Sequence, residues 1–301
     1  MDHLPELRAL IARHTADEGG QRTIAELNLG MGRWTAPTPP IHRVHEPVFA
    51  LVAQGAKRIV LADRIFDARA GHFSVVPLDL PLTFCVMQAS KEAPYLAVAM
   101  TLKPELIASL LLEAEAGDRA CGDQPAIGLS QAPSELLEPL VRLLRLLDRP
   151  SDIPMLRPMI EREIVWRLLC GEQGGLVRQI GLADSRLSKI SRAIRWIREH
   201  YAEALRIEEL AGRVAMSPTS FHRHFRAVTA MSPLQYQKRI RLQEARSRLV
   251  ADAGDVAGIG FSVGYDSPSQ FSREYARLFG APPGRDAAGL RAGLTAPSPA
   301  F

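Results

Sequence analysis

Between Pro47 and Thr101 the apolar residues arrive in short β-rich runs. Each run closes on a turn signal: Gln54-Gly55, Ala62-Asp63, Ala70-Gly71, Leu80-Pro81 and Ala93-Pro94. This spacing predicts an antiparallel sandwich or barrel, each strand turning one face inward. Ahead of it, the pattern predicts a short helix over Pro5 to Arg13 and a strand or two near Ile24 to Leu29; the proline-rich "TAPTPPIH" (35–42) reads as an extended loop. After Thr101 the texture turns helical. Pro104 opens "PELIASLLLEA", at a position where a missing N–H costs nothing. Within 133–148, Leu136, Leu140, Leu143, Leu144 and Leu147 share one stripe, and 152–172 forms a second amphipathic helix ended by Gly171. Two readings fit this pair: packing on the sheet domain or on each other, or a homodimer seam, since so rich a leucine stripe can exceed one core's needs.

"GLADSRLSK" (181–189) reads as a linker in which Asp184 or Ser185 caps the next helix, with Ile190, Ile194 and Ile197 at helical spacing. Beyond it a device occurs twice. In the first copy Ile207, Leu210, Ala211 and Val214 form the buried face of a short helix. A turn at Ala215-Met216 follows, and Ser217-Pro218 starts a second helix anchored inward by Phe221 and Phe225. In the second copy Val256, Ile259, Gly260 and Val263 lie 49 residues later. Gly264 takes the turn, and one extra residue, Asp266, raises the offset to 50 for Ser267-Pro268, Phe271 and Tyr275. The outward faces carry Thr219, Ser220, His222, Arg223 and Arg226 in one copy and Ser269, Gln270, Arg273 and Arg277 in the other.

Two helices joined by a tight turn, the second bearing Arg, Gln, Ser and Thr outward, describe a helix-turn-helix DNA reader. Arg matches guanine O6 and N7 bidentately, Gln matches adenine N6 and N7, and Ser or Thr meets either. One copy is a weak signal; two change its weight. "SPLQYQKRIRLQEARSRLVA" (232–251) between them is continuously helical. A helix of about 18 residues spans about 27 Å, which with packing at both ends sets the two reading helices about 34 Å apart, one DNA turn. Charge agrees: residues 1–180 sum to −3 and residues 181–301 to +7, and a basic half suits a polyanion. A purely structural helical repeat leaves the shared outward Arg unexplained.

Composition adds limits. The chain has 47% hydrophobic and 23% charged residues, ordinary for a soluble globular protein. Three cysteines, Cys85, Cys121 and Cys170, stand far apart without CxxC spacing, which argues against a disulfide framework or zinc site. No apolar run approaches the ~20 residues of a membrane span, and the N-terminus lacks a signal pattern. A cytoplasmic protein with no membrane partner is expected.

The stretches "IEELAGRVAMSPTSFHRHFRAVTAMSPLQYQKRIRLQEAR" and "IGFSVGYDSPSQFSREYARLFGAPP" resemble the DNA-binding domain of AraC/XylS-type transcription regulators over about 190–285. "EPVFALVAQGAKRIVLADRIFDARAGHFSVVPLDLP" is similar to the N-terminal domain of the same family over about 40–170. The resemblance implies an α+β protein. A cupin-like antiparallel β-barrel with flanking helices (1–180; barrel about 22–101, helices about 104–172) would sense a small molecule and help dimerise. A seven-helix DNA-binding domain (181–301) would carry two helix-turn-helix units, about 207–229 and 255–279, on a connecting helix about 232–250. Base contacts would come from Thr219, Ser220, His222 and Arg223, and from Ser269, Gln270 and Arg273. Relatives often carry a bulky residue or Arg at the position of Thr219, so base reading by the first unit is expected to be weaker. Phosphate contacts are expected from Arg226, Lys238, Arg239, Arg246 and Arg277. The expected partners are double-stranded operator DNA, a small-molecule effector, RNA polymerase and a second copy through helices 133–172.

Other chemistry finds little support. His42 and His45 sit three apart, but the HxH pair of metal-binding cupins is missing, so no metal or other cofactor is expected. No GxSxG or phosphate loop occurs. Cys85 and Cys121 read as incidental thiols. The effector pocket is expected inside the barrel, with Phe49, Leu51, Phe73, Phe84 and Tyr95 as candidates that equally fit a plain core. The lack of an Arg/Lys-rich strand face points to a small neutral or weakly polar ligand. The rival readings are a cupin dioxygenase or isomerase tethered to DNA, which bound iron, zinc or manganese would reveal, and a helical scaffold that never meets DNA.

Overall fold

The computed structural model describes residues 3–16, 21–114, 127–182, 185–251 and 255–294. The chain divides into two units between Lys189 and Ile190, rather than at 180. Cys121 and Asp184 lie outside the described residues.

The first unit opens with helix α1 (Leu4–His14) and continues through strands β1 (Gln21–Ile24), β2 (Leu29–Trp34), β3 (Ile41–His45), β4 (Val48–Gln54), β5 (Ala56–Leu61), β6 (Arg64–Arg69), β7 (His72–Val76), β8 (Leu80–Gln88) and β9 (Tyr95–Thr101). Helix α2 (Pro104–Glu113), strand β10 (Gly128–Gln131) and helices α3 (Ser134–Arg145), α4 (Ile153–Cys170) and α5 (Gly174–Gly181) complete it. The strands form two antiparallel sheets, ordered β1-β2-β9-β4-β7-β10 and β3-β8-β5-β6. The expected barrel is therefore not closed: among the described residues no ladder joins the sheets.

Strand β3 itself begins inside the stretch read as a loop, so His42 and His45 are strand residues. β10 and α5 were not anticipated.

Strand alternation decides which residues meet between the sheets. Val52 and Tyr95 of the larger sheet cluster with Ala68 and Val86 of the smaller one. Register then turns Ala50, Ala97, Ala99 and Ser74 to this inner side, and Phe49, Leu51, Phe73, Val75, Val98 and Met100 to the other. Those six are at most 4% exposed, on a sheet that α1 packs against. Phe49, Leu51 and Phe73 thus build the outer core and do not line an inter-sheet pocket; of the five pocket candidates, Phe84 and Tyr95 face inward.

Helix α3 packs on α1 and α4. Leu136, Leu140, Leu143 and Leu144 are all buried there and Leu147 is half-buried, so most of that stripe is consumed within the unit. Apolar surface remains on α4, at Met155, Met159 and Trp166.

The second unit holds α6 (Arg186–Glu199), inside which the division falls, then α7 (Ile207–Arg213), α8 (Pro218–Thr229), α9 (Pro233–Ala251), α10 (Val256–Ser262), α11 (Pro268–Phe279) and α12 (Pro283–Leu294). Helix starts follow their caps. Ser217 Oγ accepts from the Ser220 N–H and Ser267 Oγ from the Gln270 N–H. Ser232 and Gln235 cap α9 reciprocally, at 3.2 and 2.8 Å. Ser185 Oγ accepts from the Ser188 N–H at 2.9 Å ahead of α6.

Candidate functional site

Helices α7 and α8 pack as a pair, as do α10 and α11, and α9 contacts α8, α10 and α12. Each turn needs a left-handed residue: Ala215 at φ 52° in the first pair and Gly264 at φ 92° in the second. At Gly264 a Cβ would sit 2.3 Å from the Ala202 carbonyl oxygen, so glycine alone fits. The aromatic anchors repeat as well. Phe221 and Phe225 lie 5.4 Å apart between ring centroids, Phe271 and Tyr275 5.6 Å, and all four are fully buried. At Gly260 a Cβ would meet the Phe271 ring at 2.9 Å, which is how α10 and α11 approach so closely.

With those faces turned inward, the opposite faces are open. Thr219, His222, Arg223 and Arg226 of α8 are exposed, and Ser220 is half-buried. On α11, Ser269, Arg273 and Arg277 are exposed, while Gln270 is half-buried. The Arg273 Nε donates to the Ser269 carbonyl at 3.3 Å, and an Arg223 guanidinium nitrogen lies 3.4 Å from the His224 ring. Both arginines otherwise project from equivalent positions of the repeat.

The remaining basic residues separate. Lys238 is half exposed and bonds Glu274 at 2.8 Å. Arg239 is half-buried, and burial lowers its pKa. Arg246 departs furthest from its expected phosphate role. Its guanidinium binds both oxygens of Asp286, at 2.8 and 3.1 Å, and lies over the Phe279 ring at 4.6 Å. Tyr275 donates to the same carboxylate at 2.8 Å. Arg246 is therefore engaged in joining α9, α11 and α12, because a neutralised, stacked guanidinium is a poor phosphate ligand.

Three polar groups organise the site without any local sequence signal. Arg241 of α9 donates to the carbonyls of Tyr201 (2.6 Å), Glu203 (2.8 Å), Ala202 (3.3 Å) and Gly264 (2.6 Å). Gln237, buried one turn earlier, donates to Tyr201 and Glu203. These bonds fasten the second turn and the segment after α6 to the connecting helix. Glu274 accepts from Lys238, Gln270 (3.1 Å) and Tyr265 (2.9 Å). Burial pushes its carboxyl up, but those donors outweigh burial and hold the pKa below the ordinary value.

The same two-part organisation appears in known proteins. Residues 27–176 match the model of the AraC-type transcriptional regulator N-terminus, and residues 210–288 match a helix-turn-helix domain. The chain belongs to the AraC-type transcription regulators. Among curated members it is 32% identical over 158 residues to the HTH-type transcriptional activator RhaS of Escherichia fergusonii, covering 50% of this chain and 56% of that one. It is 28% identical over 136 residues to RhaS of Yersinia pestis, covering 45% and 47%. The chain thus spans about half the length of these AraC-type relatives. Among solved structures, ToxT of Vibrio cholerae shares the fold with a TM-score of 0.57 at 9% identity, over 86% of this chain and 97% of that one. ToxT carrying an unsaturated fatty acid gives 0.54 at 12%, over 86% and 93%.

In this AraC-type chain the second candidate site is the inner side of the two sheets. The smaller sheet does carry basic residues there. Register sets Arg43 beside Leu82, His45 beside Leu80, and Lys57 between Val86 and Ala68. Burial, then the charges of Lys57 and Arg43, push the His45 pKa down to about 4. Burial lowers that of Lys57 to about 8. The expectation of a face without cations fails because Arg43 and Lys57 are 14 residues apart and meet only through β8. Among the described residues no group of three or more His, Cys, Asp or Glu is arranged to hold a metal. No helix of the described residues is long and apolar enough to cross a membrane.

Proposed function

We propose that the chain is a sequence-specific DNA-binding transcription regulator controlled by a small molecule held between the sheets of its first unit. The carrying observation is the repeat: two capped helices, α8 and α11, with arginines exposed at equivalent positions and one continuous α9 between their units. Nineteen residues of α9 span about 28 Å, which suits insertion of the two helices into successive major grooves. Thr219, His222 and Arg223, with Ser269, Gln270 and Arg273, would read bases; Arg226, Arg277 and Lys238 would meet phosphates. Gln270 and Lys238 would exchange Glu274 for DNA. Support for the effector comes from the AraC-type N-terminal match and from ToxT, which is described with a bound unsaturated fatty acid. The test is duplex binding by the full chain across a salt series. A few released counterions per monomer give a steep negative slope of log K on log salt. Retention no stronger than that of a protein of equal charge sinks the reading.

Two partners complete the proposal. RNA polymerase is the partner a DNA-bound activator addresses. A second copy would seat on α4, where Met155 is 75% and Met159 66% exposed. Replacing both by Glu would shift a dimer to monomer in sedimentation; an unchanged species sinks that assignment.

A further inference from the structure

The two helix-turn-helix units repeat in outline but differ in one charge. On α11, Glu274 lies one turn beyond Gln270. Its Oε1 accepts from the Lys238 ammonium at 2.8 Å and from the Gln270 amide at 3.1 Å. Its Oε2 accepts from the Tyr265 hydroxyl at 2.9 Å. Tyr265 is itself buried, with its ring 5.4 Å from that of Phe271. The carboxylate is thus anchored to the core of the unit through one oxygen and offers the other to two groups assigned to DNA. The Glu274 side chain is 27% exposed and that of Lys238 49%, which puts the pair at the rim of the unit. Burial pushes the carboxyl pKa up, the three donors bring it below the ordinary value, and the group is ionised at neutral pH.

The first unit has no such acid. The repeat sets His224 at the place of Glu274, Ser220 at that of Gln270 and Met216 at that of Tyr265. His224 is buried, with its ring 3.4 Å from an Arg223 guanidinium nitrogen. No Asp or Glu occurs between Glu209 and Glu244. Helix α8 is capped and anchored as α11 is without any carboxylate, so the architecture does not require one. What Glu274 adds is a negative charge placed on ligands that DNA needs. To an ammonium or an amide N–H, a carboxylate and a phosphate offer the same charged oxygens. Lys238 can serve the DNA backbone only by leaving Glu274. The freed carboxylate, still held by Tyr265, then stands beside a polyanion.

We infer that Glu274 is an internal competitor for DNA, which closes the second reader on itself in the free protein and leaves the first reader open. The inference rests on the reading of α8 and α11 as DNA readers, and it names a regulation of that site. Most of what Lys238 gains from a phosphate offsets what it gives up at Glu274, so the first unit engages directly and the second only by displacement.

The test is fluorescence anisotropy of a labelled mixed-sequence duplex with the full chain, across a salt series. Glu274→Gln keeps an acceptor for Tyr265 and removes the charge; Glu274→Ala removes both. Each is expected to bind at least threefold more tightly than the parent. The slope of log K on log salt should steepen by up to about 1, since one phosphate contact contributes about 0.9. Lys238→Met is expected to cost at least threefold more in the Glu274→Gln background than in the parent. Glu274→Asp, which keeps the charge, should stay within twofold of the parent. Glu208→Gln, which removes an exposed charge from α7, should gain less than Glu274→Gln. Unchanged or weaker binding by both charge-removing variants marks a structural staple and overturns the inference while DNA reading stands. So does an equal cost of Lys238→Met in the two backgrounds, or an equal gain from Glu208→Gln or Glu274→Asp. A parent that binds no better than a control protein of equal charge overturns both.

Discussion

Arg241 offers a quantitative check on how the reading units are held. Its guanidinium reaches four backbone carbonyls from two segments, three of them at 2.6–2.8 Å and the fourth at 3.3 Å. Hydrogen bonds with a charged donor contribute roughly 1.5–3 kcal/mol each. Here they share one side chain, and the site is only partly buried, so water recovers some of the loss and the terms do not add. Arg241→Met is therefore expected to cost about 2–4 kcal/mol, a large part of the roughly 5–15 kcal/mol that separates folded from unfolded states. Arg241→Lys keeps the charge but satisfies fewer carbonyls, and falls between. Urea denaturation of the full chain measures the first effect. DNA affinity measures a second, because the bond to Gly264 fixes the turn that aims α11. Arg241→Met with stability within about 0.5 kcal/mol of the parent and unchanged DNA affinity would refute the clamp.

The two turns predict opposite responses to one chemical change. Ala215→Gly relieves a left-handed alanine and should stabilise by up to about 1 kcal/mol. Gly264→Ala adds strain and a contact of 2.3 Å with backbone, and should destabilise by more than about 2 kcal/mol; denaturation midpoints of both variants check this. Lys57 predicts a pH effect. Burial brings its pKa down from the ordinary 10.5 to about 8, so across that window the unfolded chain binds more protons and stability rises with pH. The penalty is present in full below about 8 and amounts to roughly 1–3 kcal/mol. Lys57→Met should remove this slope, and an identical pH profile in the variant would contradict the assigned burial.

Local chemistry made the second unit legible. Ser-Pro starts, aromatic residues four apart and a repeat of 49 to 50 positions are written along the chain, and α8, α9 and α11 begin at their prolines. What sequence could not give depends on pairings distant along it. Asp286 lies 40 residues from Arg246, so nothing near Arg246 revealed that its charge was taken. In the first unit, alternation identified two-faced strands but not which face met the other sheet. Phe49 and Ala50 are equally good strand residues; only the ladders of β4 with β7 and β9 decide that the phenylalanine serves the outer core. β3 was hidden because its pairing with β8 is long-range, while the prolines before it gave a strong loop signal.

One chain carries two DNA readers on a single strut. Footprinting of the full chain on a bound operator, with Arg223→Ala and Arg273→Ala alongside, tests it most directly. Protection is expected in two major grooves about 34 Å apart. Each variant is expected to lose about 1–3 kcal/mol and to relax base preference in a different groove. Protection of a single groove, or relaxation at the same base pair by both variants, would contradict it.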